Sequence, residues 1–269
     1  MKYLNQHVII TGGSSGIGKA LAKSLAQQGA NLSLIARDRH KLEQIKRELN
    51  NLVPDQQVYL ATADVADRQS LDHAMEQAIT KLGIPELLIT SAGIAHPGYF
   101  NHLPLEIFER TMAVNYFGTL YSIRAALPAM LTNQRGQIVM ISSGAGLIGI
   151  YGYSAYCPSK FALRGLAESL RGELKPQGIK ITIVYPPDTD TPQLAAENKI
   201  KPIETKKITA TAKTWSAAAV AAEILRGVDN QKFAIAPGTE LTILNRWHSL
   251  LAPLLNWYFD LVINKTNKN

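Results

Sequence analysis

Cysteine is nearly missing from this chain of 269 residues, where Cys157 stands alone. An internal disulfide and a cysteine-rich zinc site are thereby excluded, and a reducing compartment, most simply the cytoplasm, is expected. The histidines supply no metal set, because His7, His40, His73, His96, His102 and His248 show no HxxxH-like spacing. Long apolar runs are lacking too. The longest uncharged run of the apolar carboxyl end, residues 249–259, falls short of the roughly 20 residues that a membrane-spanning helix needs. Residues 1–6 are short and polar, so no secretory leader is expected. Charged residues make up only 18% against 46% hydrophobic, which excludes a mostly disordered chain. There is neither an internal repeat nor a low-complexity linker. One domain is therefore expected over residues 1–240, with 241–269 as an apolar extension of it.

Acidic charge is the scarcer sign, and the net charge is +7. Nucleic acid is not the expected partner, because some of the basic charges precede or lie within 38–50 and others fall in 199–213, without aromatic interleaving or a binding-module motif. A phosphate-rich cofactor and an anionic membrane surface are better uses of the charge.

Short β-branched runs alternate with longer helical patterns, the mark of βαβ units building a parallel sheet. Strands are expected at His7–Thr11, Asn31–Ala36, 57–61, Leu87–Thr90, 137–142, 180–184 and 233–236, joined by six helical connections. Gly29 and Gly178 stand where left-handed helix caps belong. The fold class is α/β, a doubly wound (Rossmann) parallel sheet of seven strands with helices on both faces and an apolar helical extension at the carboxyl end. In such a sheet, ligands lie outside the carboxyl ends of the strands.

TGGSSGIG, residues 11–18, runs off the first strand into a helix. Gly12 and Gly16 let backbone approach a pyrophosphate, and Gly18 lets the helix pack closely on the sheet. Ser14, Ser15 and Ile17 complete a turn whose amides and helix dipole suit an anion. The second strand ends on Ala36-Arg37, without the acid that would bind a ribose 2′-hydroxyl. Arg37 and Lys41, one turn on, favour a 2′-phosphate and hence NADPH, and Asp38 fits as an N-cap. Asp64 can accept from an adenine amino group or simply form a turn, with Asp67 capping the next helix.

Tyr156 and Lys160 share one helix face at i and i+4. A phenol is a poor acid–base group near neutrality, and a neighbouring cation is expected to lower its pKa. Ser143, at the end of the fifth strand, can hydrogen-bond a substrate oxygen on which negative charge develops. Pro158 is tolerable only in the first helical turn, which puts Tyr156 at the mouth of the sheet.

With these residues the chain resembles the short-chain dehydrogenase/reductase family from residue 7 to about 192. The matches are TGGSSGIG, Asp64-Val65, Ser91-Ala92-Gly93, Asn115 in VNYFG, Ser143, YxxxK and a proline-led loop after the sixth strand. The resemblance implies ketone–alcohol chemistry, with Ser143 and Tyr156 on the substrate oxygen. Lys160 would bind the nicotinamide ribose, and Asn115 would hold a proton-relaying water. It also implies cofactor contacts at Val65, Ala92, Gly93, Pro186, Thr189 and Thr191, and a homodimer through helices 105–131 and 155–175. One departure is Thr90-Ser91 where the family often has Asn-Asn.

A narrower resemblance, to family members that reduce the 3-keto group of a sphingoid base, lies in YPPDTDTP (185–192) and AENKIKPIET (196–205). It implies a lipid-like ketone substrate and a mobile lid at about 193–215. A reductase of 3-oxoacyl groups, retinoids or hydroxysteroids, and a non-catalytic NADPH-binding scaffold, stay open. Residues 241–263 carry Trp247, Trp257, Tyr258 and Phe259, broken by Arg246, His248, Pro253 and Asp260. They read either as an interfacial helix or hairpin in peripheral contact with a membrane, or as a helix packed on protein.

Overall fold

Strand β1 (His7–Thr11) leads into α1 (Gly16–Ala26), and the alternation continues through β2 (Asn31–Ala36), α2 (Arg39–Leu52), β3 (Val58–Thr62), α3 (Arg68–Leu82) and β4 (Leu87–Thr90). Two helices, α4 (Leu105–Met112) and α5 (Gly118–Thr132), joined by a π-helical turn at Ala113–Phe117, lead to β5 (Gly136–Ile141), α6 (Tyr156–Leu174) and β6 (Ile179–Val184). Beyond β6 come β7 (Thr189–Asp190), α7 (Pro192–Ile200), α8 (Ile203–Thr209), β8 (Trp215–Ser216), α9 (Ala217–Asp229), β9 (Ala234–Ile235) and α10 (Thr239–Asn267). This computed structural model describes residues 1–54, 56–210 and 212–267. Thr211 of the expected lid, and Lys268 and Asn269 of the extension, lie outside the described residues.

The main sheet is parallel, in the order β3-β2-β1-β4-β5-β6-β9. β1 and β4 are buried along their whole length, as expected for strands covered by helices on both faces. The helices start where the sequence supplies acceptors. Asp38 caps α2 by accepting from the Lys41 amide at 3.1 Å, and Asp67 caps α3 through Ser70. Leu42, Ile45 and Leu49 then bury one stripe of α2. Gly29 and Gly178 take positive φ, +87° and +78°.

Several expected boundaries move. β3 begins at Val58, because pairing opens at Leu32 opposite Val58. β5 runs from Gly136 and leaves Ser142 beyond its end, and β6 starts at Ile179. β9 shrinks to two residues, since only Ile183 and Val184 remain to pair with it. The segment expected as a lid holds α7 and α8, bracketed by a small parallel sheet pairing Thr189 with Trp215 and Asp190 with Ser216.

The extension is not a hairpin. Helical structure continues through Pro253 and Asp260, and the break falls at Trp247, whose φ of −122° and ψ of 19° join two helical segments at a kink. The kink lets both segments face the body, with Leu241 and Leu244 from the first and Phe259 from the second reaching the same cavity.

Candidate active site

That cavity, about 600 Å³, opens where the strand order reverses between β1 and β4, the place at which doubly wound sheets bind ligands. At one end it is a backbone cradle. Gly12 has φ of +73°, and a Cβ there would lie 2.6 Å from the Ala92 nitrogen; at Gly16, with φ of +53°, it would press on the Thr191 methyl at 3.1 Å. Gly18 does not line the cavity, since its missing side chain makes room for the Gly12 carbonyl. Ser15 is an extended N-cap that makes no side-chain capping bond, and the first turn of α1 carries no acid. The amides and positive dipole of α1 are thus left for an anion, which fits a dinucleotide pyrophosphate.

Ser14, Ser15, Ile17, Val65, Ala92, Gly93, Pro186, Thr189 and Thr191 also line the cavity, as do Arg37 and Lys41 at its far end. Both of these basic side chains are exposed. The Thr191 hydroxyl is engaged as the N-cap of α7, accepting from Leu194 at 3.2 Å. Asp64 lines the cavity through a turn, with Oδ1 accepting from the Ala66 amide at 3.0 Å and Oδ2 from Arg110. Burial works to raise its pKa, but the bonds from Arg110 and Ala66 hold the carboxyl below its ordinary value. Arg110, 46 residues away in the chain, carried no local signal.

At the other end stand Ser143, Tyr156 and Lys160. Ser143 is extended just beyond β5, and its Oγ accepts from the Ala145 amide at 3.2 Å. Tyr156 opens α6, with Pro158 inside the first turn. Lys160 is only 4% exposed; its ammonium sits 5.6 Å from the Tyr156 ring centroid and donates to the Ile141 carbonyl at 3.0 Å.

Asn115 lies behind the cavity wall, fully buried in the π-helical turn. Its Oδ1 accepts from the Ile94 amide, and its Nδ2 donates to the Ile94 carbonyl and to Ser159 Oγ, each at 2.9 Å. A Cβ on Gly93 would lie 3.4 Å from Asn115 Oδ1 and 3.6 Å from Lys160 Nζ, so amide and ammonium flank one small space. A π turn is a frequent mark of a functional site.

The expected lowering of the phenol is not found. Burial raises the Tyr156 pKa above its ordinary value and the Glu197 carboxylate adds to this, while the Ser143 hydroxyl pulls it down. Burial also draws the Lys160 ammonium down to about 8. Removing the phenolate from water outweighs the bond from Ser143. The thiol of Cys157 is buried beside this set, where burial pushes it up to about 11, and accordingly it is no nucleophile.

Tyr153 and Glu197 were not anticipated. Both line the cavity, and their side chains are joined by a 2.5 Å hydrogen bond across 44 residues of chain. An acid amid the lysines of 193–215 was the available signal for Glu197, and a tyrosine one turn before Tyr156 that for Tyr153. Ile148, Ile150, Leu194, Leu241, Leu244 and Phe259 supply an apolar wall.

The sequence model of the family described as short chain dehydrogenase matches residues 6–201. A zebrafish (Danio rerio) protein named 3-dehydrosphinganine reductase is 47% identical over 214 residues, which are 78% of this chain and 64% of that one, a little under two thirds of its length. The 3-ketodihydrosphingosine reductase of Bos taurus is 41% identical over 92% of this chain and 76% of its own. That of Dictyostelium discoideum is 39% identical over 97% and 83%. Among solved structures, levodione reductase superposes with a TM-score of 0.81 at 24% identity, covering 87% of this chain and 96% of that chain, and shares the fold.

Proposed function

The chain belongs to the short-chain dehydrogenase family, and on that premise we propose that it reduces 3-dehydrosphinganine to sphinganine with NADPH. The observation that carries this reading is the continuity of one cavity, from the glycine cradle past Ser143, Tyr156 and Lys160 to the apolar wall of α10. The names of its relatives supply the substrate.

A nicotinamide cofactor bound along the cradle supplies the hydride. Tyr156 gives its phenolic proton to the ketone oxygen. Its raised pKa keeps that proton in place near neutrality, which suits the reductive direction. Ser143 points a hydroxyl at the same oxygen and polarises it. Lys160 holds positive charge beneath the phenol, and Asn115 fixes the β4 loop and the α6 turn around it. Arg37 and Lys41 at the cradle's open end favour a 2′-phosphate, hence NADPH rather than NADH.

On this reading residues 1–240 are the reductase domain, 193–215 its lid and 241–269 an extension that completes the substrate end. Trp247, Leu250, Leu254, Trp257 and Leu261 stand exposed at helical spacing on α10. A lipid substrate, an apolar cavity wall on the same helix and the surplus of positive charge favour a cytoplasmic membrane surface as the occupant of this stripe. Among the described residues no helix is long and apolar enough to cross a membrane. A homodimer would use α4–α5 and α6, where Leu105, Phe117 and Phe161 are exposed.

The test is a panel of ketones offered with NADPH: 3-dehydrosphinganine, a 3-oxoacyl thioester, a retinal and a ketosteroid. The reading requires the highest kcat/KM for 3-dehydrosphinganine. Preference for another member would replace it, and NADPH binding without turnover of any ketone would leave a scaffold.

A further inference from the structure

We propose that the Glu197 carboxylate receives a primary ammonium group on the carbon next to the ketone, so that the site selects 2-amino-3-ketones over plain ketones. This rests on the sphingoid-base reading above and names the group that reads the substrate's polar head.

Glu197 projects from α7 into the cavity and is only 7% exposed. Tyr153 donates its hydroxyl to Oε2 at 2.5 Å, and Gln193 donates its amide to Oε1 at 2.9 Å. Two neutral donors orient the carboxylate and leave each oxygen a further lone pair. Among the described residues no lysine, arginine or histidine forms an ion pair with it. Lys201, four residues on and also buried, bonds Glu197 only through the backbone. A buried carboxylate with no cation in direct contact is costly, and a cationic ligand group would reduce that cost.

The position is also right for such a group. The Tyr153 ring lies 5.6 Å from the Tyr156 ring, centroid to centroid, and the field of Glu197 acts on both Tyr156 and Lys160. The amine of 3-dehydrosphinganine is two bonds from its carbonyl carbon. With the carbonyl oxygen on Tyr156 and Ser143, the ammonium can turn toward Tyr153 and Glu197, while the alkyl chain follows Leu194 and Phe259. Asp188 is the competing carboxylate. It lines the same cavity and its field also reaches Tyr156, but it is half-buried rather than buried, and among the described residues it lacks the pair of side-chain donors that orients Glu197.

The experiment measures kcat and KM of the full chain with NADPH on 3-dehydrosphinganine and on the same molecule lacking the amine. Glu197→Gln is nearly isosteric and keeps an acceptor for Tyr153, and Gln193 can turn its amide so that its oxygen accepts from the new NH2, so the lid's bonding survives. It should lower kcat/KM for the aminoketone roughly 10- to 100-fold more than for the deaminated ketone, the excess falling mainly on KM, while the loss shared by both substrates reports its field on Tyr156 and Lys160. Asp188→Asn should change both substrates alike. Equal losses on both substrates in Glu197→Gln, no loss on either, or a selective loss in Asp188→Asn instead would overturn the assignment. The sphingoid reading fails separately, if the native chain reduces the deaminated ketone but not the aminoketone.

Discussion

Two parts of the cavity are built in opposite ways. Around Ser143, Tyr156 and Lys160, the side chains rise from strand ends and one long helix, and their partners are backbone groups of the core: Ile141 for Lys160, Ala145 for Ser143, and Ile94 for the supporting Asn115. After β6, the wall comes from short helices, a sheet of two-residue strands and a kinked helix whose outer face is open. Several of its bonds link side chains to one another, as in Tyr153–Glu197, Gln193–Glu197 and Tyr99–Glu204. Reaction geometry must be held to a fraction of an ångström, which a rigid core provides. Substrate choice can sit on a surface that is remodelled without touching the chemistry.

Losing the phenol should break the first region most severely. Tyr156→Phe is expected to lower kcat by about a thousandfold or more while NADPH titration by fluorescence stays close to native. Substantial residual turnover would move the proton donor elsewhere.

Next in size is a pH effect at Lys160. Its folded pKa of about 8 lies below the ordinary 10.5, so the unfolded chain binds that proton more tightly. The cost of the buried ammonium is full below about 8 and disappears as pH rises to about 10.5. Stability of the native chain relative to Lys160→Met should therefore rise by about 3 kcal/mol across that window. Urea unfolding at several pH values reads it, and a flat difference would mean that the ammonium is well solvated.

At the cradle's open end the effect is smaller and bears on cofactor choice. Arg37→Ala should weaken NADPH binding roughly 10- to 100-fold and NADH binding by less than about threefold; parallel losses would remove Arg37 from 2′-phosphate recognition. Smallest is the outer face of α10. Leu250→Ser with Leu254→Ser should reduce sedimentation with anionic vesicles about tenfold without altering turnover of a small soluble ketone. Unchanged vesicle binding with a change in oligomeric state would assign the stripe to a second copy.

The same contrast explains what could be read in advance. The glycine turn, the Tyr156–Lys160 spacing, the Asp38 and Asp67 caps and the seven strands are local patterns, within a few residues of each other, and the periodicities of helix and strand expose them. Asn115's π turn, the Arg110 bond to Asp64 and the Tyr153–Glu197 contact depend on residues brought together from 21 to 46 positions apart. No local spacing encodes them. The kink at Trp247 follows from docking on the body at Leu241 and Leu244, whereas Pro253, the expected breaker, is carried inside the helix.

The separation of reaction from substrate choice is tested most directly by one ratio, kcat/KM for 3-dehydrosphinganine over kcat/KM for a small soluble ketone, in Ser143→Ala and in Leu194→Ala/Phe259→Ala. The account predicts that Ser143→Ala lowers both constants by one to two orders of magnitude and leaves the ratio unchanged, while the Leu194→Ala/Phe259→Ala variant lowers the ratio about tenfold or more. A ratio that moves as far in Ser143→Ala as in the double variant would contradict it.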